Sequence, residues 1–265
     1  MTPAHDDPGE RFAGTRDYIR ARGEIPLQAH QPEFDTQLRR FAKLVATGPG
    51  TRLLEIGPGT GWLLVHAALR GLHCTGLEHN PELAGFARAR ARQHGVDVEI
   101  EVGDIQDGGL APESFDIVVA NSVLEHVRDA RRALEHVHRA LRPGGLFYFN
   151  STNKFAPRSG EYPPLRLYGW LPYGARRRIR VARQGERVVD AAEIDFHQFT
   201  HPGLRRELGE VGFRRVASIY ELLEVEDLND RASRRVLAMR AYKSLPPLRH
   251  VIETFATGTS FYCVK

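Results

Sequence analysis

Three glycines at alternate positions follow the first apolar segment of the chain. Residues 53–56 read Leu-Leu-Glu-Ile, and Gly57, Gly59 and Gly61 come directly after them. A strand, a glycine-rich turn and a helix bring bare backbone close to a nucleotide-like ligand. Glycine suits this turn because it has no Cβ to obstruct the ligand and because it tolerates positive φ. The pattern therefore predicts a site for a nucleotide-like cofactor.

The spacing of these glycines disfavours a dinucleotide. A dinucleotide fingerprint reads G-x-G-x-x-G/A, but the third position here is Trp62. An indole at that position would block the close helix–strand packing that a third glycine permits. An NAD-linked oxidoreductase remains a rival interpretation that this residue argues against.

Two acidic residues follow the next predicted strands. Glu78 ends the second strand, where a carboxylate can accept hydrogen bonds from both hydroxyls of a ribose. Asp104 follows the third strand and suits the amino group of an adenine. Both acids would lie at the carboxyl edge of a parallel sheet, the same edge as the glycine turn.

The pattern E-x-G-x-G-x-G resembles motif I of class I S-adenosylmethionine (SAM) dependent methyltransferases. Within that class, the order of motifs is similar to the family that includes the ubiquinone-pathway O-methyltransferases, over about residues 50–150 and more weakly over 197–222. The later motifs are Val102-Gly103-Asp104-Ile105, Phe115-Asp116-Ile117-Val118-Val119-Ala120-Asn121, Val123-Leu124-Glu125-His126-Val127 and Leu141-Arg142-Pro143-Gly144-Gly145.

The resemblance implies SAM as the cofactor and a set of residues that bind it. The implied contacts are Glu55, Gly57, Pro58, Gly59 and Gly61 for the methionine part, Glu78 with His79 beside it for the ribose, Asp104 and Ile105 for the adenine, and Asn121 for the methyl-transfer pocket. Each of these residues also has a purely structural interpretation, such as a tight turn or a solvated strand end.

Methyl transfer to a hydroxyl requires removal of a proton, and histidine is the usual side chain for this near neutral pH. His126 is the first candidate because it follows the fourth strand on the side of the cofactor, and His197 and His201 come next. The chain has 12 histidines, so capping or loop-orienting roles stay open for all three. An N-methyltransferase, which needs less base assistance, is the nearest alternative.

A metal site is not expected. Some ubiquinone-pathway relatives carry E-x-x-E-H in the loop after the fourth strand, but the first position here is Ser122. The remaining Glu125 and His126 are a poor ligand set for a hard cation. The predicted metal ligands are therefore none.

The order of elements predicts an α/β fold: a Rossmann-like, doubly wound, seven-stranded and mostly parallel sheet with helices on both faces. The predicted strands are 51–56, 73–78, 96–102, 115–121, 146–150, 213–222 and 260–264. We expect an N-terminal helical segment over 1–50 and a methyltransferase domain over 51–265. Within that domain, 151–196 would form a lid of helix and loop, and 224–257 a second insertion.

The lid holds an aromatic and apolar stretch followed by a run of arginines. Its arginines are Arg176, Arg177, Arg178, Arg180, Arg183 and Arg187. This composition suits a lid over an apolar or acidic substrate, peripheral contact of residues 162–187 with an anionic membrane, or a flap with solvated arginines. Nucleic acid is not an expected partner because the basic run is local and belongs to no recognised nucleic-acid-binding module.

The bulk composition is that of a globular protein, with 265 residues and a net charge of +4. Neither a disulfide framework nor a signal-peptide core is visible, so a cytoplasmic enzyme is expected. We predict a SAM-dependent methyltransferase acting on a small molecule, with O-methylation favoured. A non-catalytic SAM-fold partner protein is an alternative of a different class. The sequence carries no signal for an oligomeric state.

Overall fold

The computed structural model describes residues 15–185, 195–223 and 240–265. Seven strands form one sheet. They are β1 (Arg52–Ile56), β2 (His73–Glu78), β3 (Glu99–Val102), β4 (Phe115–Asn121), β5 (Leu141–Thr152), β6 (Arg215–Ser218) and β7 (Gly258–Val264). The strand order is β3-β2-β1-β4-β5-β7-β6, and β7 is antiparallel to both of its neighbours. The other strand pairs are parallel.

Helices follow or precede most of the strands. They are α1 (Thr15–Gly23), α2 (Leu27–Ala42), α3 (Trp62–Leu69), α4 (Pro81–Gln93), α5 (Ala130–Ala140), α6 (Tyr173–Gln184), α7 (His201–Val211), α8 (Ile219–Leu222) and α9 (Pro246–Phe255), with short 3₁₀ turns at Leu124–His126 and Tyr168–Trp170. Their ends follow local chemistry. Asn80 caps α4 by accepting hydrogen bonds from two backbone N–H groups, and Gly212 ends α7 in the left-handed conformation.

The central strands are buried on both faces of the sheet. Leu54 and Val118 pack into a core on the side of α5 and α7, whereas Leu53 and Ile117 pack into a core on the side of α2, α3 and α4. These four side chains have no exposed surface. Continuous apolar runs are what a parallel sheet covered on both sides requires. The result is a three-layer arrangement, and it confirms the predicted fold class.

Most predicted elements match the structure, and β2 and β4 match it in both bounds. The sixth strand was predicted too long, as 213–222: the structure has a strand only over Arg215–Ser218, followed by α8. The cause is local, because the Glu221 carboxylate accepts a hydrogen bond from the backbone N–H of Ser218 and starts the helix. The third strand is shorter than predicted, and the fifth is longer.

The segment between β5 and α7 packs against the loop that follows β4. The backbone N–H of Phe196 donates to the carbonyl of Glu125 over 2.7 Å, and Lys154 N–H donates to Phe199 over 2.6 Å. These bonds hold the segment beside the carboxyl edge of the sheet. Residues 186–194 and 224–239, including Arg187 and the start of the predicted second insertion, lie outside the described residues. The domain boundaries stay predictions. Among the described helices, none has the length and apolar character that crossing a membrane requires.

Candidate active site

The carboxyl ends of three neighbouring strands place the candidate site. Because β1 lies between β2 and β4, the side chains of Glu55, Glu78 and Asn121 come from one edge of the sheet. Parallel α/β sheets bind ligands at this edge, where the strand order reverses. The reversal occurs here between β1 and β4: β2 and β3 follow β1 on one side, and the chain then crosses back to place β4 on the other side of β1.

The three glycines of the turn all have positive φ, at +64°, +54° and +73° for Gly57, Gly59 and Gly61. An L residue rarely adopts this conformation. A Cβ on Gly57 would lie 2.7 Å from Val123 Cγ2, and a Cβ on Gly59 would lie 2.9 Å from the hydroxyl of Tyr18. Gly57 and Gly59 therefore leave room for the side chains of Val123 and Tyr18, which the sequence pattern alone does not reveal.

Gly61 serves the close packing that a dinucleotide fingerprint assigns to its third glycine. A Cβ at Gly61 would lie 2.9 Å from Ala87 Cβ and 3.2 Å from Ala87 Cα, so α4 packs directly on the start of α3. Trp62 points away from this contact and stacks on His30 with ring centroids 4.7 Å apart. The indole thus disturbs no helix packing, because the glycine beside it makes the close approach.

Glu78 is a buried carboxylate that backbone groups hold in place. Its Oε2 accepts a hydrogen bond from Gly59 N–H over 3.1 Å, and its Oε1 accepts one from Asn80 N–H over 3.0 Å. Burial alone would raise the pKa of Glu78, but His79 and these two N–H groups outweigh it, so the pKa lies below its usual range. Ionised oxygens retain lone pairs for further donors, such as ribose hydroxyls.

Glu55 differs from Glu78 in that its pKa is raised and not lowered. The side chain is buried among apolar strands, and burial, then the charge of Glu78, raises its pKa to about 8 despite a hydrogen bond from Asn121. Its Oε2 has no hydrogen-bond partner within the described part of the chain. A buried acceptor left without a donor is costly, so this oxygen is suited to a donor supplied by a ligand.

Asn121 lies on the floor of the site beside Asn150 of β5. The amide of Asn150 donates to Asn121 Oδ1 over 2.9 Å, and Asn150 Oδ1 accepts from the backbone N–H of Ser122 over 2.9 Å. These bonds fix the orientation of the Asn121 side chain, which also bonds Glu55. Sequence reasoning did not find Asn150, because its strand gives no motif there.

Asp104 and Ile105 follow β3 as predicted. Both Asp104 oxygens accept hydrogen bonds from Gln106, one from its backbone N–H and one from its side chain. Gln106 in turn accepts from Asp129 N–H over 2.8 Å, which ties this loop to the start of α5. Ile105 is only 4% exposed and packs in the core. Their roles toward an adenine stay predictions.

Tyr18 of α1 is a second site residue that the sequence did not reveal. Its hydroxyl lies against Gly59, and burial, then the charges of Glu78 and Glu55, raises its pKa to about 12. Arg90 of α4 holds the end of α1 in place, donating over 2.7 Å to the carbonyl of Gly23 and over 3.2 Å to that of Thr60. A neutral phenol therefore covers the glycine turn.

His126 follows β4, at the same edge of the sheet as the glycine turn. It ends the 3₁₀ turn after β4, and its Nδ1 lies 3.7 Å from Oδ1 of the buried Asp195. The imidazole retains 33% of its exposure, whereas the Asp195 side chain retains 4%. An imidazole facing a fixed carboxylate is the usual arrangement of a general base.

The other two candidate histidines have different surroundings. His197 Nε2 lies 3.0 Å from the carbonyl of Arg128, and its ring stacks on Phe199. His201 is buried at the start of α7 against the ring of Phe261, and burial lowers its pKa. Of the three candidates, His126 is the one that lies beside a carboxylate in the described part of the lid. The catalytic roles of all three stay predictions.

Glu125, the neighbour of His126, is directed into the protein. Its carboxylate accepts a hydrogen bond of 2.7 Å from the hydroxyl of Ser151, and its carbonyl accepts the backbone N–H groups of Phe196 and His197. Among the residues that the structure describes, no group of three or more His, Cys, Asp or Glu side chains could hold a metal ion.

These residues fit SAM. The glycine turn exposes backbone. Glu55 Oε2 lacks a hydrogen-bond donor among the described residues, and an ammonium group would supply one. The lowered pKa of Glu78 keeps its carboxylate ionised at the end of β2. A cationic group would favour the carboxylate form of Glu55. The contacts of Glu55 and the turn with the methionine part, and of Glu78 with the ribose, stay predictions.

The raised pKa of Glu55 predicts a pH dependence of stability in the ligand-free protein. A carboxyl whose pKa is higher in the folded state, about 8 against 4.5, favours folding fully at low pH, and this contribution is lost as pH rises between these values. We expect the free energy of unfolding to fall from pH 5 to pH 8 by up to about 1.4 kcal/mol per pH unit. Glu55→Gln removes this fall, whereas the exposed Glu99→Gln retains it. Denaturant titrations across this range measure it, and parallel curves for wild type and Glu55→Gln would contradict the assignment.

Comparison with known proteins agrees with this geometry. Residues 54–149 match a family described as a methyltransferase domain. The chain is 32% identical over 193 residues to a ubiquinone biosynthesis O-methyltransferase of Paramagnetospirillum magneticum, covering 70% of this chain and 74% of the relative. It is 37% identical over 131 residues to a protein of the same name from Methylobacterium sp. (strain 4-46), but there the match covers 47% of this chain and 51% of the relative.

A solved structure shares the fold. The SAM-dependent methyltransferase from Mesorhizobium loti has a TM-score of 0.56 and 19% identity, with 91% of this chain and 100% of that chain covered. At this identity the likeness concerns the fold alone. The match to the Methylobacterium relative spans about half of that protein's length.

Proposed function

Because this chain belongs to the class I SAM-dependent methyltransferases, we propose that it methylates a hydroxyl group of a small apolar or aromatic acceptor. The proposal concerns the acceptor and the atom that is methylated. A natural product, a quinone or a lipid-like compound would supply such a hydroxyl.

The choice of oxygen as the methylated atom rests on the pairing of His126 with Asp195, whose Nδ1 and Oδ1 atoms lie 3.7 Å apart. A hydroxyl must lose its proton as the methyl group is transferred, and an imidazole held near a carboxylate is suited to accept it. The Asp195 carboxylate is held in position, because its Oδ2 accepts a hydrogen bond of 3.2 Å from the side chain of Gln198. An amine acceptor would need much less of this assistance.

SAM supplies a methyl group that is already activated on a sulfonium. The protein therefore has to position the acceptor and move one proton. Glu55, Glu78 and the glycine turn bind the cofactor in this proposal, Asn121 lines the transfer pocket, and His126 accepts the proton. The names of the relatives, ubiquinone biosynthesis O-methyltransferases, support a quinone-type phenol as one acceptor class.

An acceptor screen tests the proposal. Extracts of the source organism, incubated with the protein and SAM carrying an isotopically labelled methyl group, should yield a product heavier by one methyl, and NMR should place the label on oxygen. A label on nitrogen would overturn the choice of O-methylation while leaving the methyltransferase intact. Protein without added SAM is the control.

The lid surface supports peripheral contact with an anionic membrane as part of this proposal. Leu167, Trp170 and Tyr173 are 47%, 44% and 41% exposed, and Arg166 and Arg178 are exposed beside them. Apolar and aromatic side chains flanked by cations favour such a surface. We expect the protein to sediment with phosphatidylglycerol vesicles more than with phosphatidylcholine vesicles, and Trp170→Ser to weaken this. Equal sedimentation of both proteins with both vesicles would contradict it.

A cytoplasmic location is also proposed. Cys74 and Cys263 are both free and buried, which agrees with a reducing compartment. Fractionation of cells followed by immunodetection tests the location, and recovery outside the cytoplasm and its membrane surface would contradict it.

A further inference from the structure

Helix α6 carries two arginines that the fold buries almost completely. Arg176 is 2% exposed and Arg180 has no exposed surface, although both belong to the arginine run of the lid. Arg176 donates to the Glu161 carboxylate and, over 2.9 Å, to the carbonyl of Asp195. A guanidinium is rarely buried completely unless it is paired, so each of these two arginines requires a partner for its charge.

Arg180 is only partly neutralised by its neighbours. Its Nη1 lies 3.7 Å from Glu161 Oε1, which is longer than a hydrogen bond, and its Nε donates to Gln184 over 2.9 Å. Both terminal nitrogens, Nη1 and Nη2, are buried without a hydrogen-bond partner among the described residues, and so is Nε of Arg176.

Buried guanidinium nitrogens without partners require a hydrogen-bond acceptor. Leaving buried charged donors without hydrogen bonds costs more free energy than leaving neutral ones, and folded proteins satisfy nearly all of them. Glu161 is already engaged by Arg176, Tyr168 and Gln198, so it has little capacity left for Arg180. The geometry of two adjacent guanidinium nitrogens matches the two oxygens of a carboxylate or a phosphate.

This cluster is connected to the candidate base. Gln198 donates to Glu161 over 3.0 Å and to Asp195 over 3.2 Å, and Asp195 faces His126. One buried network therefore joins the lid arginines to the imidazole that would receive the proton of the acceptor. A group bound at Arg180 would contact the same network that holds His126.

We propose that Arg180, supported by Arg176, binds an anionic group of the methyl acceptor, a carboxylate or a phosphate. This inference rests on the proposed function and narrows it, because the acceptor then carries a hydroxyl and an acid on one apolar or aromatic frame. The aromatic side chain of Tyr168, buried beside Glu161, belongs to the same cluster.

Calorimetry with three small probes tests this site. Benzoate and phenyl phosphate carry the two anionic groups, and benzamide is the neutral counterpart of benzoate. We expect the protein, with S-adenosylhomocysteine bound, to bind benzoate or phenyl phosphate saturably and benzamide at least tenfold more weakly. The preferred anion identifies the acid group. Arg180→Gln should lose roughly tenfold to 100-fold in affinity for that anion.

Two further variants complete the test. Arg183→Gln removes an exposed arginine from the same helix and should bind the anion like wild type. If Arg180→Gln does not fold, Arg180→Lys, which keeps the charge but lacks the planar fork, should show an intermediate loss. Equal binding of benzoate and benzamide, no binding of either anion, or an Arg180→Lys protein that binds the anion like wild type would overturn the site.

The acceptor screen and the calorimetric test have separate outcomes, so one proposal can be refuted while the other stands. An acidic product methylated on nitrogen would refute O-methylation and leave the Arg180 site standing. A neutral product methylated on oxygen, together with no anion binding, would refute the Arg180 site alone.

Discussion

Gly59→Val is expected to abolish SAM binding. Gly59 has φ of +54°, where a β-branched residue is strongly disfavoured, and a Cβ there would lie 2.9 Å from the Tyr18 hydroxyl. The variant must therefore either move the turn or displace α1 from above it. Both changes disturb the backbone that the cofactor approaches and the N–H group that holds Glu78.

Calorimetry with SAM measures this effect, and circular dichroism establishes that the variant is folded. We expect no saturable heat for Gly59→Val, together with a loss of roughly 1–3 kcal/mol in stability from the strained backbone. Gly85→Val is the matched control, since Gly85 lies on α4 without positive φ and a Cβ there meets nothing within 4 Å. A folded Gly59→Val protein that binds SAM like wild type would show that the turn is not the cofactor site.

His126→Ala is expected to retain SAM affinity and to lose turnover by roughly 10²–10⁴-fold, the usual contribution of a general base. The side chain lies at the end of the turn after β4 and faces Asp195. Its removal should therefore spare the cofactor. Single-turnover assays with the acceptor found by the screen, paired with SAM calorimetry, separate these two effects.

Two other variants locate the base. Asp195→Asn should reduce turnover less than His126→Ala and move the pH–rate profile, because the imidazole loses its carboxylate partner. His197→Ala should have a small effect, since its ring already contacts a backbone carbonyl and Phe199. Turnover that is unchanged in His126→Ala but lost in His197→Ala would show that His197, and not His126, is the base. No loss in either would favour an amine acceptor.

The sequence predicted those parts of the site that depend on neighbouring residues along one strand and its turn. β2 and β4 matched in both bounds because each is a buried run between clear turn signals. The positions of Glu55, Glu78 and Asn121 at one edge follow from this, since parallel strands end together. The sixth strand failed where one side chain, Glu221, starts a helix instead.

Parts of the site that depend on distant contacts could not be predicted. Tyr18 lies about 40 residues before the glycine turn along the chain, and α1 is held there by groups from another element, among them Asn80 and Arg90. The burial of Arg176 and Arg180 was likewise invisible, because a run of arginines is usually solvated. Their partner Glu161 comes from a separate part of the lid.

The most direct test of the account is a calorimetric titration of S-adenosylhomocysteine into wild type and Glu78→Ala. We predict saturable heat below the millimolar range for wild type, none for NAD, and binding weaker by about 1–3 kcal/mol in Glu78→Ala. The exposed Glu99→Ala should match wild type. An absence of heat with S-adenosylhomocysteine, or a Glu78→Ala protein that binds it unchanged, would contradict the placement of the cofactor at the ends of β1 and β2.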